Sequence, residues 1–490
     1  MPDNRATEGA TAAVKFPHRS RRGILLGLTA PQLLGATASG LLLLAVILTR
    51  GVVGALELIP LWAAFAALTF VRARGRSLAD WTPVVTRYAL RRARGQLLWL
   101  ARPSDRPVRE GLLHLPGTAA SLRVVTAPDR RYGAVHHPGT GTLTAVVKVS
   151  ARAYALLDPG TQNANVAGWG RALAALARTG QVARVQVLER TVPDSGDALR
   201  RYWQQHGSPD APVSGQVYGE LIASAGPAAA PHEAYVAVSL DAKAARRLIN
   251  QAGGGLTGAF SVLGQLTSTF DQAARTAGLN PSGWLSANEI AAVVRTAYDP
   301  KALAALDRWS PAGRPAADPA AAGPVVVVEK ADHIATDSAV HTTYWVENWP
   351  RTETSAGFLH QLLFTAGVRR TLSLSYQPKG LDAALRDVQR RKAGVIADSA
   401  ERARRGQVDS EADAIEYADI KARERQLIAG HADVALTGLL TVSADTEDEL
   451  RAARAVVETA AVGAQLDLRL LSWQQAEAFT AGALPLALAV

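Results

Sequence analysis

Histidines are the side chains most able to bind a metal or move a proton near neutral pH, and a few of the ten in this chain sit beside other polar residues. His136 and His137 are adjacent at a predicted turn, where neighbouring side chains diverge instead of converging on one ion. A surface turn is therefore favoured over a metal site there. His232-Glu233 and His431 begin two predicted strands that hold matching positions in the two similar parts of the chain described below. A turn geometry shared by the two parts explains these histidines with fewer assumptions than a polar contact between the parts.

Motifs of enzymes that bind phosphate or form covalent intermediates are missing from the sequence. A phosphate-binding loop needs a Gly-Lys pair, which occurs nowhere; the glycine-rich Gln251–Gly258 favours a flexible loop or a close helix crossing. The acidic Asp194–Asp197 lacks the distal glutamate of a calcium loop and favours a helix cap. No cysteine is present for thiolate catalysis or for a zinc or iron–sulfur site. The sequence therefore predicts a protein that is not an enzyme, with no catalytic residue, cofactor or metal.

The elements that would position any site are organised around a long apolar stretch near the N-terminus. Two segments, Thr29–Thr49 and Val52–Val71, are joined only by Arg50-Gly51. About 20 apolar residues in a helix cross the roughly 30 Å hydrocarbon layer, so each segment is long enough to span a membrane. We predict a two-helix transmembrane hairpin within residues 21–76. A buried core hairpin and a secretory signal peptide are the alternatives, and apolarity on every face and the immediate second span argue against them.

Basic residues on both flanks predict the orientation of this hairpin, because cytoplasmic flanks carry an excess of lysine and arginine. The turn offers only Arg50. The flanking arginines are Arg19, Arg21 and Arg22 before the hairpin and Arg72, Arg74 and Arg76 after it. We predict a two-pass protein of the plasma membrane, with both termini and the large domains in the cytoplasm.

Glu57 and Pro60 are the notable residues of the second segment. A carboxylate inside a membrane is a functional hypothesis by default. Glu57 lies only six residues from Gly51, so it can reach the outer headgroups or a neighbouring subunit, and either is favoured over a proton relay.

A basic elbow, residues 77–110, follows the hairpin. Thr82-Pro83 is a plausible helix start and Gly95 a plausible end. We predict a helix that lies on the inner membrane surface, with an ordinary surface helix of the soluble domain as the alternative. The elbow residues expected to face the membrane are Trp81, Arg87, Arg91, Arg92, Arg94 and Trp99.

The charge of the chain is concentrated near the membrane. The net charge is +10, and residues 1–110, with 16 basic and 6 acidic residues, account for all of it. This distribution favours attraction to anionic lipid headgroups. Nucleic acid is an unfavoured partner, because the large domains carry no basic excess.

The rest of the chain shows a weak internal duplication. The first copy has predicted strands at Thr142–Val149, Ala183–Arg190 and Glu233–Leu240, and the second at Val340–Glu347, Arg370–Tyr376 and Leu436–Ala444, with helices between them. We predict an α/β (α+β) fold of two duplicated ferredoxin-like, or split βαβ, lobes. The predicted domains are a disordered tail 1–20, the hairpin, the elbow, lobe 1 at 111–309 with a helical insertion 241–307, a linker 310–324, and lobe 2 at 325–490.

Two groups of motifs resemble known secretion proteins. The segments Arg21–Gly23, Ala30–Leu33, Arg72–Arg76, Trp81 and Arg91-Arg92 resemble the small PrgI-type membrane proteins of Gram-positive conjugation systems. The segments Trp349-Pro350, Phe358-Leu359, Arg369–Pro378 and Ala435–Leu450 resemble the non-ATPase N-terminal part of type IV secretion assembly ATPases. The arrangement is also similar to EccE, the two-span peripheral subunit of actinobacterial type VII secretion.

The resemblance implies a scaffold subunit, since the motor domain of the ATPase family is missing. Its implied partners are membrane lipids, a separate motor ATPase and a multi-span channel protein, within a larger oligomeric complex. A type IV-like apparatus is the first hypothesis and an EccE-like type VII subunit is its alternative. From other classes, a membrane enzyme and a membrane-tethered ligand-binding regulator stay open.

Overall fold

The computed structural model describes the chain in seventeen stretches, which include residues 30–73 of the predicted hairpin. The described residues are 13–14, 16, 30–73, 76–101, 110–129, 131–151, 156–192, 203, 206–207, 213–224, 231–309, 316–350, 354–355, 357–404, 406, 411–429 and 431–489. The flanking arginines Arg19, Arg21, Arg22 and Arg74 lie outside them.

The strands and helices of the described residues have the following bounds. The strands are β1 (Ala13–Val14), β2 (Arg72–Ala73), β3 (Arg76–Ser77), β4 (Leu98–Leu100), β5 (Arg123–Thr126), β6 (Gly133–His137), β7 (Thr142–Ala151), β8 (Val182–Thr191), β9 (His232–Asp241), β10 (Leu279–Trp284), β11 (Val326–Glu329), β12 (Ile334–Ala335), β13 (Val340–Asn348), β14 (Thr354–Ser355), β15 (Arg369–Lys379), β16 (Asp433–Ala444) and β17 (Asp467–Leu470). The helices are α1 (Ala30–Glu57), α2 (Ile59–Phe70), α3 (Leu78–Ala93), α4 (Pro159–Arg178), α5 (Val213–Ser224), α6 (Arg246–Gln251), α7 (Gly255–Thr276), α8 (Ala287–Tyr298), α9 (Ala302–Trp309), α10 (His360–Leu363), α11 (Leu381–Arg404), α12 (Glu411–Ile428), α13 (Glu447–Gly463) and α14 (Gln475–Ala483).

One antiparallel sheet of 13 strands organises the body, and the predicted α+β class is confirmed. Its order is β4-β11-β12-β13-β16-β15-β8-β9-β7-β6-β5, with β10 and β17 pairing to β7 and β13. From one edge of the sheet inward, the order is β5-β6-β7-β9-β8. From the other edge it is β11-β12-β13-β16-β15, with β4 added outside β11. The two halves therefore have the same topology.

Each half contains the β-α-β-β-α-β elements of a split βαβ unit, with α5 inserted between the two middle strands of the first half and α11 and α12 inserted between those of the second. In the first half the strands are β7, β8, β9 and β10, and in the second they are β13, β15, β16 and β17. The helices that connect them correspond as well: α4 to α10, and α7 to α13. The duplication is therefore visible in the order of the elements.

The two halves are fused through their strands, which the sequence did not reveal. β8 pairs with β15 in antiparallel register, with Arg190 opposite Thr371 and Val185 opposite Tyr376. The lobes are consequently two halves of one sheet, because hydrogen bonds run continuously across the junction. The predicted domain boundaries stay predictions.

Helices cover both faces of the sheet. On one face, α4 and α7 pack over the first half and α10 and α13 over the second, and each half has its own apolar core. On the other face, α8 and α14 meet at the centre, where the rings of Tyr298 and Phe479 lie 4.9 Å apart. This second face carries buried polar side chains, among them Gln186, Thr343 and Thr441.

The predicted hairpin consists of α1 and α2, which pack against each other. Gly51 interrupts α1 with φ 70°, a conformation that favours glycine, at the position predicted for the turn. Among the described residues, Gln32–Gly51 is the helical segment long and apolar enough to cross a membrane. The second segment is divided at Leu58, and α2 has only 12 residues, or about 18 Å. Helix length therefore supports one span, and the second crossing stays a prediction.

Candidate membrane-proximal assembly surface

Helix α3 connects the apolar helices to the body, and its start differs from the prediction. Ser77 is the N-cap: its Oγ accepts a hydrogen bond from the backbone N–H of Asp80 at 3.2 Å. The prediction that Thr82-Pro83 begins the helix is wrong, because the capping side chain lies five residues earlier and Pro83 is inside the helix. The helix ends where predicted, with Gly95 at φ 68° donating its N–H to the Arg92 carbonyl at 3.0 Å.

Trp81 attaches α3 to the C-terminal part of the sheet. Its side chain is 5% exposed, and its ring meets Trp473 edge to face with centroids 5.2 Å apart. A side chain at headgroup depth would be open to its surroundings, so the structure corrects the prediction that Trp81 faces the membrane. The same helix also contacts α1 and α2, and so it holds the apolar helices against the body.

Two of the four predicted elbow arginines pair with carboxylates of the body. Arg87 Nη2 lies 2.7 Å from Glu477 Oε1 at the start of α14. Arg91 pairs with Glu329, whose side chain is almost fully buried in β11. Burial raises the pKa of Glu329, while Arg91 and the backbone N–H of Ala476 stabilise its charged form.

The other two arginines, Arg92 and Arg94, are exposed at the end of α3. Their predicted contact with lipid headgroups stays a prediction. The side chains of Arg72 and Arg76 lie outside the described part of the structure. Two of the four elbow arginines are thus paired with the body, and two are exposed.

Strand β4 is the second attachment of the elbow. Trp99 lies opposite Val327 of β11 and packs, partly buried, against the core beneath α8 and α14. Its location at headgroup depth stays a prediction. Leu98 and Leu100, on the opposite face of the strand, are 51% and 53% exposed. β4 is therefore an edge strand with one buried and one open face.

A cleft of about 820 Å³ lies between α3, β4 and α14. Its walls carry the charged side chains Arg87, Arg91, Arg94, Glu329 and Glu477. Since the two carboxylates are paired with Arg91 and Arg87, Arg94 leaves one positive charge in excess. The cleft is suited to a polar or acidic segment.

Glu57 and Pro60 lie at the junction between α1 and α2. Glu57 is the last residue of α1 and is exposed, and Pro60 is exposed within the first turn of α2, where proline is tolerated. These positions agree with a carboxylate near an outer membrane surface or a neighbouring subunit. The function of Glu57 stays a hypothesis.

The segment before the apolar helices also contacts the body, which sequence reasoning missed. β1 pairs with β14, with Ala13 opposite Ser355. The ring of Phe16 stacks on Trp349 at 5.0 Å and meets Phe358 at 5.4 Å. A two-residue strand leaves little pattern in a sequence. The aromatic Phe16 in an otherwise small and polar tail was the one signal from which this contact could have been predicted.

A buried ionic network lies in the first half, at one of the histidine-carboxylate pairs named above. Glu233 accepts hydrogen bonds from Arg190 at 2.7 Å, Lys148 at 2.7 Å and Tyr235 at 2.9 Å. Burial would raise the pKa of Glu233, but Arg190 and Lys148 lower it to about 2. The adjoining cavity of about 140 Å³ is smaller than ordinary ligand pockets, which favours a structural role.

His232, the neighbour of Glu233, pairs with Glu189 of β8 and lies 5.1 Å from the ring of Phe364. Its polar partner therefore lies in its own half, and its contact with the second half is the aromatic one with Phe364. A polar contact between the lobes, the second alternative, is not what the structure shows for His232. Among the described residues, no group of three or more histidine and acidic side chains is arranged to hold a metal ion.

Comparison with known proteins gives one family. Residues 228–346, about a quarter of the chain, match the family model of EccE, described as a putative type VII ESX secretion system translocon. The matched stretch runs from β9 to β13 and so includes the end of the first half and the start of the second. No curated protein matches the chain. The PrgI-type and type IV resemblances stay predictions.

Proposed function

We propose that this protein is a non-enzymatic, membrane-anchored scaffold subunit of an EccE-like type VII secretion translocon. The match of residues 228–346 to the EccE family carries the proposal. It favours the type VII alternative over the type IV-like hypothesis that the sequence motifs placed first. The rigid attachment of α3 to the body supports it, since a scaffold must transmit position from the membrane to its partners.

The contact of the N-terminal segment with the body supports two membrane crossings. Ala13 and Phe16 precede the apolar helices, whereas Ser355 and Trp349 follow them. Segments that touch each other lie on the same side of a membrane, so this contact favours an even number of crossings, as in the proposed hairpin, over a single span. With arginines on both flanks, we propose that the shared side is the cytoplasm.

The proposed partners are lipids, a motor ATPase and a multi-span channel protein of the same complex. Lipid contact is supported by the apolar surface of α1, where Leu34 and Leu48 are 71% and 76% exposed. A separate motor is proposed because the chain carries no phosphate-binding loop. A ligand-binding regulator would instead need a large apolar pocket, whereas the large cleft at α3 has charged walls.

Affinity purification of the tagged protein in mild detergent from its native host tests this proposal. We expect a motor ATPase and a multi-span membrane protein in fixed ratios to the bait, quantified by mass spectrometry. An unrelated two-pass membrane protein with the same tag is the control. Recovery of the protein alone as a monomer would contradict the proposal.

A further inference from the structure

The internal duplication allows the two ends of the sheet to be compared directly. In the first half, Val125 of β5 lies opposite Ala134 of β6, which lies opposite Ala145 of β7. In the second half, Val328 of β11 lies opposite Ala335 of β12, which lies opposite Val340 of β13. Residues directly opposite each other in an antiparallel pair point to the same face. Val125 and Val328 therefore hold equivalent positions on the face that bears α7 in one half and α13 in the other.

In the first half, helix α7 covers this position. Val125 and Ala134 belong to the same apolar core as Phe260 and Leu263 of α7, and Ala134 is completely buried. The ring of Tyr132 meets Phe260 at 6.0 Å and closes the margin of this core. An amphipathic helix is thus the element that this surface of the fold accommodates.

In the second half, the equivalent surface is open. α13 has 17 residues where α7 has 22, a difference of about 7.5 Å in length. Leu100 lies opposite Val326, and its equivalent in the first half is Leu112, which lies opposite Arg123. Leu112 is 9% exposed, whereas Leu100 is 53% exposed. We name the open surface the apolar edge patch; it consists of Leu98, Leu100, Val326 and Val328.

Only one face of β4 and β11 is open to a partner, and this face carries the patch. The opposite face of β4 and β11 is closed by Trp99 and by the pair of Arg91 with Glu329. None of the four patch side chains is charged, and Leu98 and Leu100 are each more than half exposed. An apolar, uncharged edge of this kind promotes association unless a partner covers it.

We propose that the apolar edge patch docks an amphipathic helix from another subunit of the secretion complex. The helix would occupy the space that the N-terminal part of α7 fills in the first half, and its apolar residues would recur at positions i, i+3 or i+4, and i+7. Because β4 follows α3 directly, this partner would be held close to the membrane. The inference rests on the proposed function, since it requires a complex to supply the helix.

A photo-crosslinking amino acid at Leu98 or Leu100 of the full-length protein in native membranes tests the identity of the occupant. We expect adducts with a peptide of another subunit that has helical apolar spacing. The matched control is Val462, an isolated exposed apolar residue of α13 that is 74% exposed and should give no such adduct. Adducts only with lipid, with this chain itself or with a second copy of it would overturn the proposal.

Charge substitution separates this inference from the proposed function. The double variant Leu98→Glu/Leu100→Glu should lower the recovery of the crosslinked subunit at least tenfold, while Val462→Glu leaves it unchanged. If the complex is recovered with all its subunits from the double variant, the docking inference is wrong and the scaffold function stands. If the wild-type protein is recovered alone, both are wrong.

Discussion

At the residue scale, buried polar side chains hold the fold together in ways that their sequence positions only partly indicate. Glu233 is noticeable in the sequence because it follows a histidine at the start of a strand. Its three donors come from β7, β8 and its own strand β9, and only the folded sheet brings them together. A buried carboxylate with two cations is stabilising only as a complete set.

We predict that Glu233→Gln lowers the free energy of unfolding by about 3 kcal/mol, since it leaves Arg190 buried without its counter-charge. Chemical denaturation of the detergent-solubilised full-length protein, followed by tryptophan fluorescence, measures this change. Lys148→Met is the control. Its side chain is 43% exposed, so it should cost less than about 1 kcal/mol. Equal losses in the two variants would mean that the network does not depend on the buried pair.

His341 predicts a specific pH dependence. It is 1% exposed, with its ring nitrogens 3.0 Å from Thr336 Oγ1 and 2.8 Å from Ser443 Oγ, and burial together with Arg369 lowers its pKa to about 3. The unfolded chain takes up this proton near pH 6.5, so stability is full above that pH and falls as the pH drops toward 3.

From pH 7.5 to pH 5.5, this group should therefore reduce the free energy of unfolding by about 1.4 kcal/mol. Denaturation curves of the wild type and of His341→Gln at the two pH values test it. The variant should lose less stability over this interval than the wild type. The same loss in both proteins would show that His341 is not held neutral by the fold.

At the element scale, local patterns predicted the strands and helices well, but not how they pair. The T-x-x-E pattern of Thr446 and Glu449 is typical of a helix start, and in the structure Thr446 is the N-cap of α13 and accepts the N–H of Glu449. The pairing of β8 with β15 joins residues nearly two hundred positions apart and leaves no periodic trace in either strand. Trp81 was misplaced for the same reason, because its partner Trp473 is remote in sequence.

Gln186 is the test of this junction between the halves. It is fully buried, its Nε2 donates to Ser373 Oγ at 2.8 Å and to the Leu484 carbonyl at 3.0 Å, and its Oε1 accepts the N–H of Ala487. We predict that Gln186→Ala costs about 2–4 kcal/mol, because it leaves these buried groups unpaired. It should also make the C-terminal segment more sensitive to protease.

The matched control is Gln377→Ala, a glutamine of β15 that is exposed and should change neither property. Stability measurements and limited proteolysis of both variants provide the comparison. A stable Gln186→Ala protein with a protected C-terminus would show that the segment is held by apolar packing alone.

At the scale of the whole molecule, a body with a twofold internal repeat is joined to the apolar helices α1 and α2. The repeat was visible in the sequence as an order of elements. The contact of the N-terminal segment with β14 was not, although the proposed two-pass topology rests on it. Because the sequence contains no cysteine, single and paired cysteine substitutions can test both features without interference from other thiols.

The pair Ala13→Cys/Ser355→Cys should form an intramolecular disulfide when membranes are treated with an oxidant. The two residues are direct partners in an antiparallel pair, where Cβ atoms lie about 4.5–5.5 Å apart. A mobility shift in non-reducing electrophoresis reports the bond, and Ala13→Cys/Val462→Cys is the control. Disulfides only between molecules would assign the N-terminal segment to a neighbouring copy.

The most direct measurement of the central claim is the labelling of single cysteines in intact cells with a membrane-impermeant maleimide. Arg50→Cys, exposed beside the kink at Gly51, should react from outside the cell, and Val462→Cys in the body should react only after permeabilisation. That result would establish a two-pass anchor beneath which the whole sheet lies in the cytoplasm. Labelling of Val462→Cys in intact cells, or protection of Arg50→Cys there, would contradict the account.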